Sequence, residues 1–191
     1  MLRGGGTTPA PTKSLIISEV AKIENSNSPK HSLHFYEIYN ATDSVANMDG
    51  CSINIYKSKN TIIDKSIPLD GSLNASSTYV VCYGGFDDSD AITQSLNTKC
   101  NSRMVDVSTT FSTKRVVELK CNEKTIDIIG KPGDENSVKQ NNMIRNCSIT
   151  KGISDEKLGF QASEWTTGTS TKDGLNASLG THKAVCDTPT E

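Results

Sequence analysis

Apolar and polar residues alternate with a period of two in most of the hydrophobic segments of this chain. The clearest case is the segment 116–130, whose first half places apolar side chains at Val117, Leu119 and Cys121. After the polar residues 122–125, Ile126 and Ile128 are predicted to share one face. Because side chains alternate between the two faces of a strand, this pattern predicts a β-hairpin with one face on a core and one in water.

Short β-branched runs precede this hairpin. The strongest predicted strands are 14–20, 35–40, 51–56 and 77–83. In the first of them, Leu15 and Ile17 face one side and Ile16 the other, and we expect that strand well inside a sheet. Pro68 makes 66–69 an edge segment, since proline cannot donate to a central ladder. We interpret 84–98 as a surface loop or one short helix over 91–96, and 105–110 as a weak strand. The pattern predicts a two-sheet antiparallel sandwich with little helix.

Composition and charge exclude some classes of function for this chain. The chain has 191 residues, enough for one domain, and its 20 basic and 22 acidic residues are interspersed to a net charge of −2. Such a balance provides no electrostatic route to nucleic acid. No apolar stretch reaches the length of a membrane span. Residues 1–13, rich in Gly, Thr and Pro, are interpreted as a flexible linker or an expression scar that replaces an export signal, and 184–191 as a C-terminal tail.

Six cysteines in a chain rich in Ser, Thr and Asn predict disulfides and an oxidising compartment, hence a secreted or cell-surface protein. A bridge between Cys82 and Cys100 is predicted, because it closes a polar excursion that follows a strong strand. The other four can pair in three ways, with a preference for a bridge that holds the C-terminal tail. These four are Cys51, Cys121, Cys147 and Cys186.

Asn-x-Ser/Thr tripeptides begin at Asn40, Asn74, Asn146 and Asn176. They fit a secreted glycoprotein. Such tripeptides also arise by chance in a chain of this composition, so by themselves they carry little weight.

Candidate chemistry is sparse. Glu19 and Glu37 lie in neighbouring predicted strands, where two close carboxylates bind a cation or act as an acid and base. The preferred interpretation is structural, with each accepting hydrogen bonds from the backbone or from Ser and Tyr at a strand end. Trp165 is expected to anchor the core. The acidic loop 87–90 lacks the spacing of a calcium loop.

Catalytic motifs are not found. The chain has no Gly-x-Ser-x-Gly elbow, no His-Glu-x-x-His and no phosphate-binding glycine loop. His31 and His34 lie three residues apart in a loop or strand start, where they would face different ways, and His182, alone near a glycine, is interpreted as a structural donor. No pair of cysteines has the Cys-x-x-Cys spacing of a zinc site. We therefore expect no catalytic residue, no metal and no cofactor.

Several short motifs, taken in order, resemble those of lamin-tail domains of the secreted or bacterial type. They are LIISEV at 15–20, EIYN at 37–40, DG at 49–50, YVV at 79–81, VEL at 117–119, IDIIG at 126–130, Arg145, Trp165 and LGTH at 179–182. The resemblance covers about residues 14–183. It implies an all-β, immunoglobulin-like antiparallel β-sandwich.

Two functions from different classes are compatible with these observations. The first is a non-catalytic binding or anchoring module of an extracellular or cell-surface protein, with a protein or cell-envelope ligand as its partner. The alternative is an accessory domain of a secreted nuclease or phosphatase, because lamin-tail-like domains often accompany such enzymes.

Overall fold

A computed structural model describes residues 13–24, 32–57, 59–85, 91–106, 115–134, 136–138, 142–184 and 186. Apart from Lys13, the predicted linker 1–13 lies outside the described residues. The same holds for residues 187–191 of the predicted tail.

Within the described residues the chain forms short strands and two helices. The strands are β1 (Leu15–Glu24), β2 (Ser32–Asn40), β3 (Ala46–Asn47), β4 (Cys51–Tyr56), β5 (Ile63–Pro68), β6 (Ser72–Leu73), β7 (Thr78–Gly84), β8 (Ser102–Val105), β9 (Val117–Cys121), β10 (Lys124–Ile129), β11 (Met143–Arg145) and β12 (Trp165–Thr167). The helices are α1 (Ala91–Thr98) and α2 (Lys172–Ser178), with 3-10 turns at Glu156–Leu158 and Ala162–Glu164. No helix in this part of the chain is both long and apolar enough to span a bilayer.

The strands form a six-stranded sheet in the order β12-β11-β1-β2-β7-β8 and a four-stranded sheet in the order β10-β9-β4-β5, with β3 and β6 paired separately. The predicted sandwich-like, mostly β architecture is confirmed. β1 is internal and β5 lies at an edge, as predicted. Pairing within the sheets is antiparallel except between β7 and β8, which α1 connects in parallel. The weak strand predicted at 105–110 overlaps β8 only at Val105, and residues 107–110 are outside the described ranges.

The main core lies between the two larger sheets. The six-stranded sheet contributes Leu15, Ile17, Tyr36, Ile38, Tyr79 and Val81, and the four-stranded sheet contributes Cys51, Ile53, Ile55, Val117, Leu119 and Ile129. Ile16 faces the other side, as the alternation predicts. Full burial of each large aliphatic side chain stabilises the fold by about 1.5–3 kcal/mol.

A second apolar layer covers the outer face of the six-stranded sheet. Here Phe35 and Val80 of the sheet pack against Leu96 of α1 and against Leu175 and Leu179 in and after α2. The short helix considered at 91–96 is present as α1, whereas the sequence did not predict α2. Both helices are held by this packing, because helices of seven or eight residues are not stable alone.

The predicted hairpin is present as β9 and β10. Cys121 pairs with Lys124, so the turn consists of Asn122 and Glu123, with φ of 48° and 65°. Two central residues with positive φ form the type I′ turn, whose twist matches that of the strands.

A β-bulge in β10 changes the predicted facing of this hairpin. The β9–β10 register shifts so that Ile126 is the extra residue. Ile126 packs against the main core, whereas Ile128 lies in a separate cluster with Tyr56 and Val116. The prediction that Ile126 and Ile128 share a face is therefore wrong, because a bulge breaks the period of two.

All six cysteines are paired. The Cys82–Cys100 bridge, which is the pairing predicted, joins β7 to the end of α1. A cross-strand bridge joins Cys51 of β4 to Cys121 of β9. The third joins Cys147 to Cys186 and so holds the C-terminal segment against the domain.

Candidate functional site: a buried carboxylate pair and the adjoining cleft

A bulge in β1 brings the two predicted carboxylates together. The β1–β2 register shifts between Ile17 and Glu19, which leaves Ser18 as the extra residue. Without it, Glu19 would follow Leu15 and Ile17 into the main core. The bulge turns Glu19 to the outer face, opposite Glu37 of β2 and beneath α2.

Each carboxylate accepts hydrogen bonds from its surroundings. The Ser18 hydroxyl donates to Glu37 Oε1 at 2.6 Å, and the Gly180 amide donates to Glu37 Oε2. The Ser178 hydroxyl donates to Glu19 Oε1 at 2.8 Å. These are the serine and backbone partners that the preferred interpretation predicts, although both carboxylates lie within strands and not at their ends.

Burial raises the pKa of both groups. The pKa of Glu19 is raised to about 7, chiefly by burial; the Ser178 hydroxyl lowers this pKa and the nearby Glu37 carboxylate raises it. Burial also raises the pKa of Glu37, against the hydrogen bonds that it accepts. Lys99, just after α1, opposes both rises through its charge, and its Nζ donates to Leu179 O at 2.7 Å. Glu19 therefore gains or loses its proton near neutral pH.

The burial of both carboxylates limits their contact with any substrate. Glu19 is 2% exposed and Glu37 is 0% exposed. A substrate could reach neither carboxylate without displacing the segment 178–180. In the folded protein the pair fastens that segment to the six-stranded sheet.

A polar cleft of about 540 Å³ adjoins the fastened segment. It is lined by Ser76, Ser77, Thr78, Gly180, Thr181, His182 and Lys183. Gly180 belongs to both features, because its amide donates to Glu37 while the residue lines the cleft. The hydroxyl groups and the Lys183 cation suit a polar or anionic group of a ligand.

His182 is the titratable ring of this cleft. It packs edge-on against Tyr39, with ring centroids 4.9 Å apart, and its Nε2 is buried without a hydrogen-bond partner among the described residues. Burial and, to a smaller extent, the charge of Arg145 together lower the pKa of His182 to about 4. The imidazole is therefore neutral at physiological pH.

A buried ion network lies at another edge of the sandwich and was not predicted. Asp127 of β10 accepts from Arg145 and from the amides of Ile17 and Ile153, at 2.7 and 2.8 Å. Arg145 also donates to Glu164. The network joins the two larger sheets through charge-assisted hydrogen bonds.

The indole of Trp165 lies beside this network, in the main core. The Arg145 guanidinium is stacked over the ring, 4.9 Å from its centroid. Trp165 therefore contributes both apolar burial and a cation–π contact. It occupies the core position expected for it.

Glu118 is a further buried acid, although the hairpin pattern predicts it in water. It accepts from Asn54 Nδ2 at 3.1 Å, Tyr56 Oη at 2.9 Å and Thr125 Oγ1 at 2.6 Å. The cause is the cluster around Ile128, which covers part of the outer face of the smaller sheet. A pattern of alternating charges did not indicate that this face is partly covered.

The remaining candidate residues do not lie together in one site. The acidic loop 87–90 and His31 lie outside the described residues. His34 is within β2, its pKa lowered to about 3 by burial, with the Tyr83 ring centroid 6.0 Å away. Among the described residues, no three His, Cys, Asp or Glu side chains form a group that could hold a metal ion.

Comparison of the chain with protein-family models, curated proteins and solved structures finds no match.

Proposed function

We propose that this domain is a non-catalytic recognition or anchoring module of an extracellular or cell-surface protein, related to the secreted lamin-tail domains. The lamin-tail relation rests on the ordered motifs together with a sandwich-like fold. An extracellular setting is supported by three disulfides, which are typical of oxidising compartments.

One observation carries the proposal. Glu19 and Glu37, the two carboxylates considered as a possible acid and base, accept hydrogen bonds from the segment 178–180. That segment continues into the lining of the cleft. Glu19 and Glu37 thus have a structural role, since they fix the position of residues that line the cleft. Recognition needs a surface of fixed shape, whereas catalysis needs reactive groups that a substrate can touch.

The cleft is the recognition surface that we propose. Its hydroxyl groups form hydrogen bonds, and Lys183 attracts a carboxylate or another anion on the partner. The partner is a protein or cell-envelope ligand that presents such a group.

The test is capture of ligands from the envelope fraction of the source by the immobilised domain. Lys183→Glu reverses the charge at the cleft and is expected to abolish capture. Lys57→Glu makes the same change at an exposed lysine just after β4, outside the cleft lining, and is expected to leave capture intact. Equal capture by the wild type and by Lys183→Glu, with both proteins folded by circular dichroism, would contradict this assignment.

A further inference from the structure

We propose that Asn74 is an N-glycosylation site of the exported protein. Four tripeptides have the acceptor pattern, and the structure separates them by the surroundings of their amide groups. Asn40, Asn146 and Asn176 have side-chain amides that form hydrogen bonds with other parts of the domain, whereas the side chain of Asn74 has no such bond among the described residues.

Asn40 is fully buried and its amide is part of the fold. Its Nδ2 donates to the carbonyl oxygens of Ser44, Leu73 and Asn74, at 2.8, 3.0 and 3.2 Å. Its Oδ1 accepts from Thr42. A sugar on this nitrogen would break the bonds that hold the loop after β6, so a glycan at Asn40 is incompatible with the folded domain.

The other two amides form contacts between segments of the domain. Asn146 Nδ2 donates to Ser163 O at 2.8 Å, and the middle residue of its tripeptide, Cys147, is bridged to Cys186. Asn176 lies in α2, and its Oδ1 accepts from Ser95 of α1 at 3.1 Å. A glycan at Asn146 would be attached to the nitrogen that makes this hydrogen bond. A glycan at Asn176 would have to fit at a half-buried position where α2 contacts α1.

Asn74 has the opposite surroundings. It follows β6 directly, and its side chain is exposed, with no hydrogen bond to any other described residue. Its backbone carbonyl is fixed by Asn40. Ser76, the hydroxyl residue of the tripeptide, is also exposed. An acceptor in a surface turn of a disulfide-bonded, exported chain is where a bulky, solvated glycan fits.

The modification joins Asn74 Nδ2 to C1 of an oligosaccharide that is carried on a polyprenyl diphosphate. The new N–C1 bond replaces one N–H bond, whose proton passes to a base of the transferring enzyme. The C1–O bond of the donor breaks, and the polyprenyl diphosphate leaves. No oxidant or reductant is needed.

The experiment is expression of the full chain behind an export signal in eukaryotic cells, followed by treatment with peptide N-glycosidase. We expect the mass of the protein to fall by one glycan. When the digestion is run in heavy-oxygen water, Asn74 is expected to become labelled aspartate. Asn74→Gln and, independently, Ser76→Ala are expected to abolish the shift, and Asn176→Gln is expected to keep it.

Three outcomes would overturn the proposal. One is no mass shift in wild-type protein, whether secreted or retained in the cell. Another is a shift that persists in Asn74→Gln. The third is labelled aspartate at Asn40, Asn146 or Asn176 and not at Asn74. Each outcome concerns the modification alone, so the function of the cleft is tested separately.

Discussion

Replacing Asp127 with alanine should destabilise the domain more than any exposed acidic substitution. Its side chain is 0% exposed, and it accepts from two backbone amides, those of Ile17 and Ile153. It is also the buried partner of Arg145, whose side chain is 1% exposed. Alanine would leave a buried cation without this carboxylate and two amides without an acceptor.

The expected loss follows from these contacts. Breaking a buried ion pair on one side costs about 3–5 kcal/mol. A buried amide left without an acceptor, such as that of Ile17, costs about 1–3 kcal/mol, and the partly buried amide of Ile153 costs less. Because these losses share one site and Glu164 still contacts Arg145, they do not add, and we expect about 4 kcal/mol in all. With a urea slope of about 2 kcal/mol per M, the unfolding midpoint should fall by about 2 M.

The assay is urea unfolding followed by tryptophan fluorescence, since Trp165 is the single tryptophan and lies beside the network. The matched control is Asp43→Ala, which removes an exposed ion pair with Lys13. Its midpoint should shift by less than about 0.3 M. An Asp127→Ala midpoint no lower than that of Asp43→Ala would refute the view that the network joins the sheets.

Three further predictions concern the carboxylate pair, the disulfides and the hairpin turn. Because burial raises the pKa of Glu19 from 4.5 to about 7, the folded state binds its proton more tightly, and the free energy of unfolding should fall as pH rises through this interval. Glu19→Gln should therefore melt above the wild type at about pH 8, with the difference shrinking towards about pH 4; a difference independent of pH would contradict this. Thiol titration of the denatured, unreduced protein should find no reactive cysteine, and six reactive thiols would disprove the disulfide assignment. Replacing Cys82 and Cys100 together by alanine should lower the free energy of unfolding by about 3 kcal/mol. Glu123→Gly should raise the melting temperature, because glycine adopts positive φ without strain. The expected gain in the free energy of unfolding is about 1 kcal/mol, and a lower melting temperature would contradict the type I′ turn.

The sequence predicts those parts of the fold whose cause is local. Leu15 and Ile17 face the core because strand side chains alternate, and Pro68 lies in an edge strand because it has no amide hydrogen. The Cys82–Cys100 bridge could be predicted because it closes a short excursion. The pairing of Cys51 with Cys121 depends on two strands that only the folded sheet brings together.

The sequence does not predict features whose cause is tertiary. α2 is seven residues long and contains Gly174, so its own propensity is low, and it is held by the packing of Leu175 on the sheet and by its N-cap, Thr171. The bulge residues Ser18 and Ile126 belong to runs that also suit regular strands. No residue pattern marks them as extra.

In the candidate site, too, features with a local cause could be predicted from the sequence and features with a tertiary cause could not. Glu19 and Glu37 could be assigned to neighbouring strands, but their side-by-side placement depends on the bulge in β1. The Asp127–Arg145 pair joins different strands, and no short sequence motif contains both residues. The cleft could not be predicted because its two halves, 76–78 and 180–183, lie about a hundred residues apart in the sequence.

We propose that the buried carboxylates hold a recognition surface in place and do not catalyse a reaction. The most direct measurement is turnover by the purified domain against DNA, RNA and phosphoester substrates, with Ca²⁺, Mg²⁺ or Zn²⁺ present. We predict no product above the buffer rate for the wild type, for Glu19→Gln or for Glu37→Gln. Metal-dependent cleavage by the wild type that either substitution abolishes would contradict the account and favour the hydrolytic alternative.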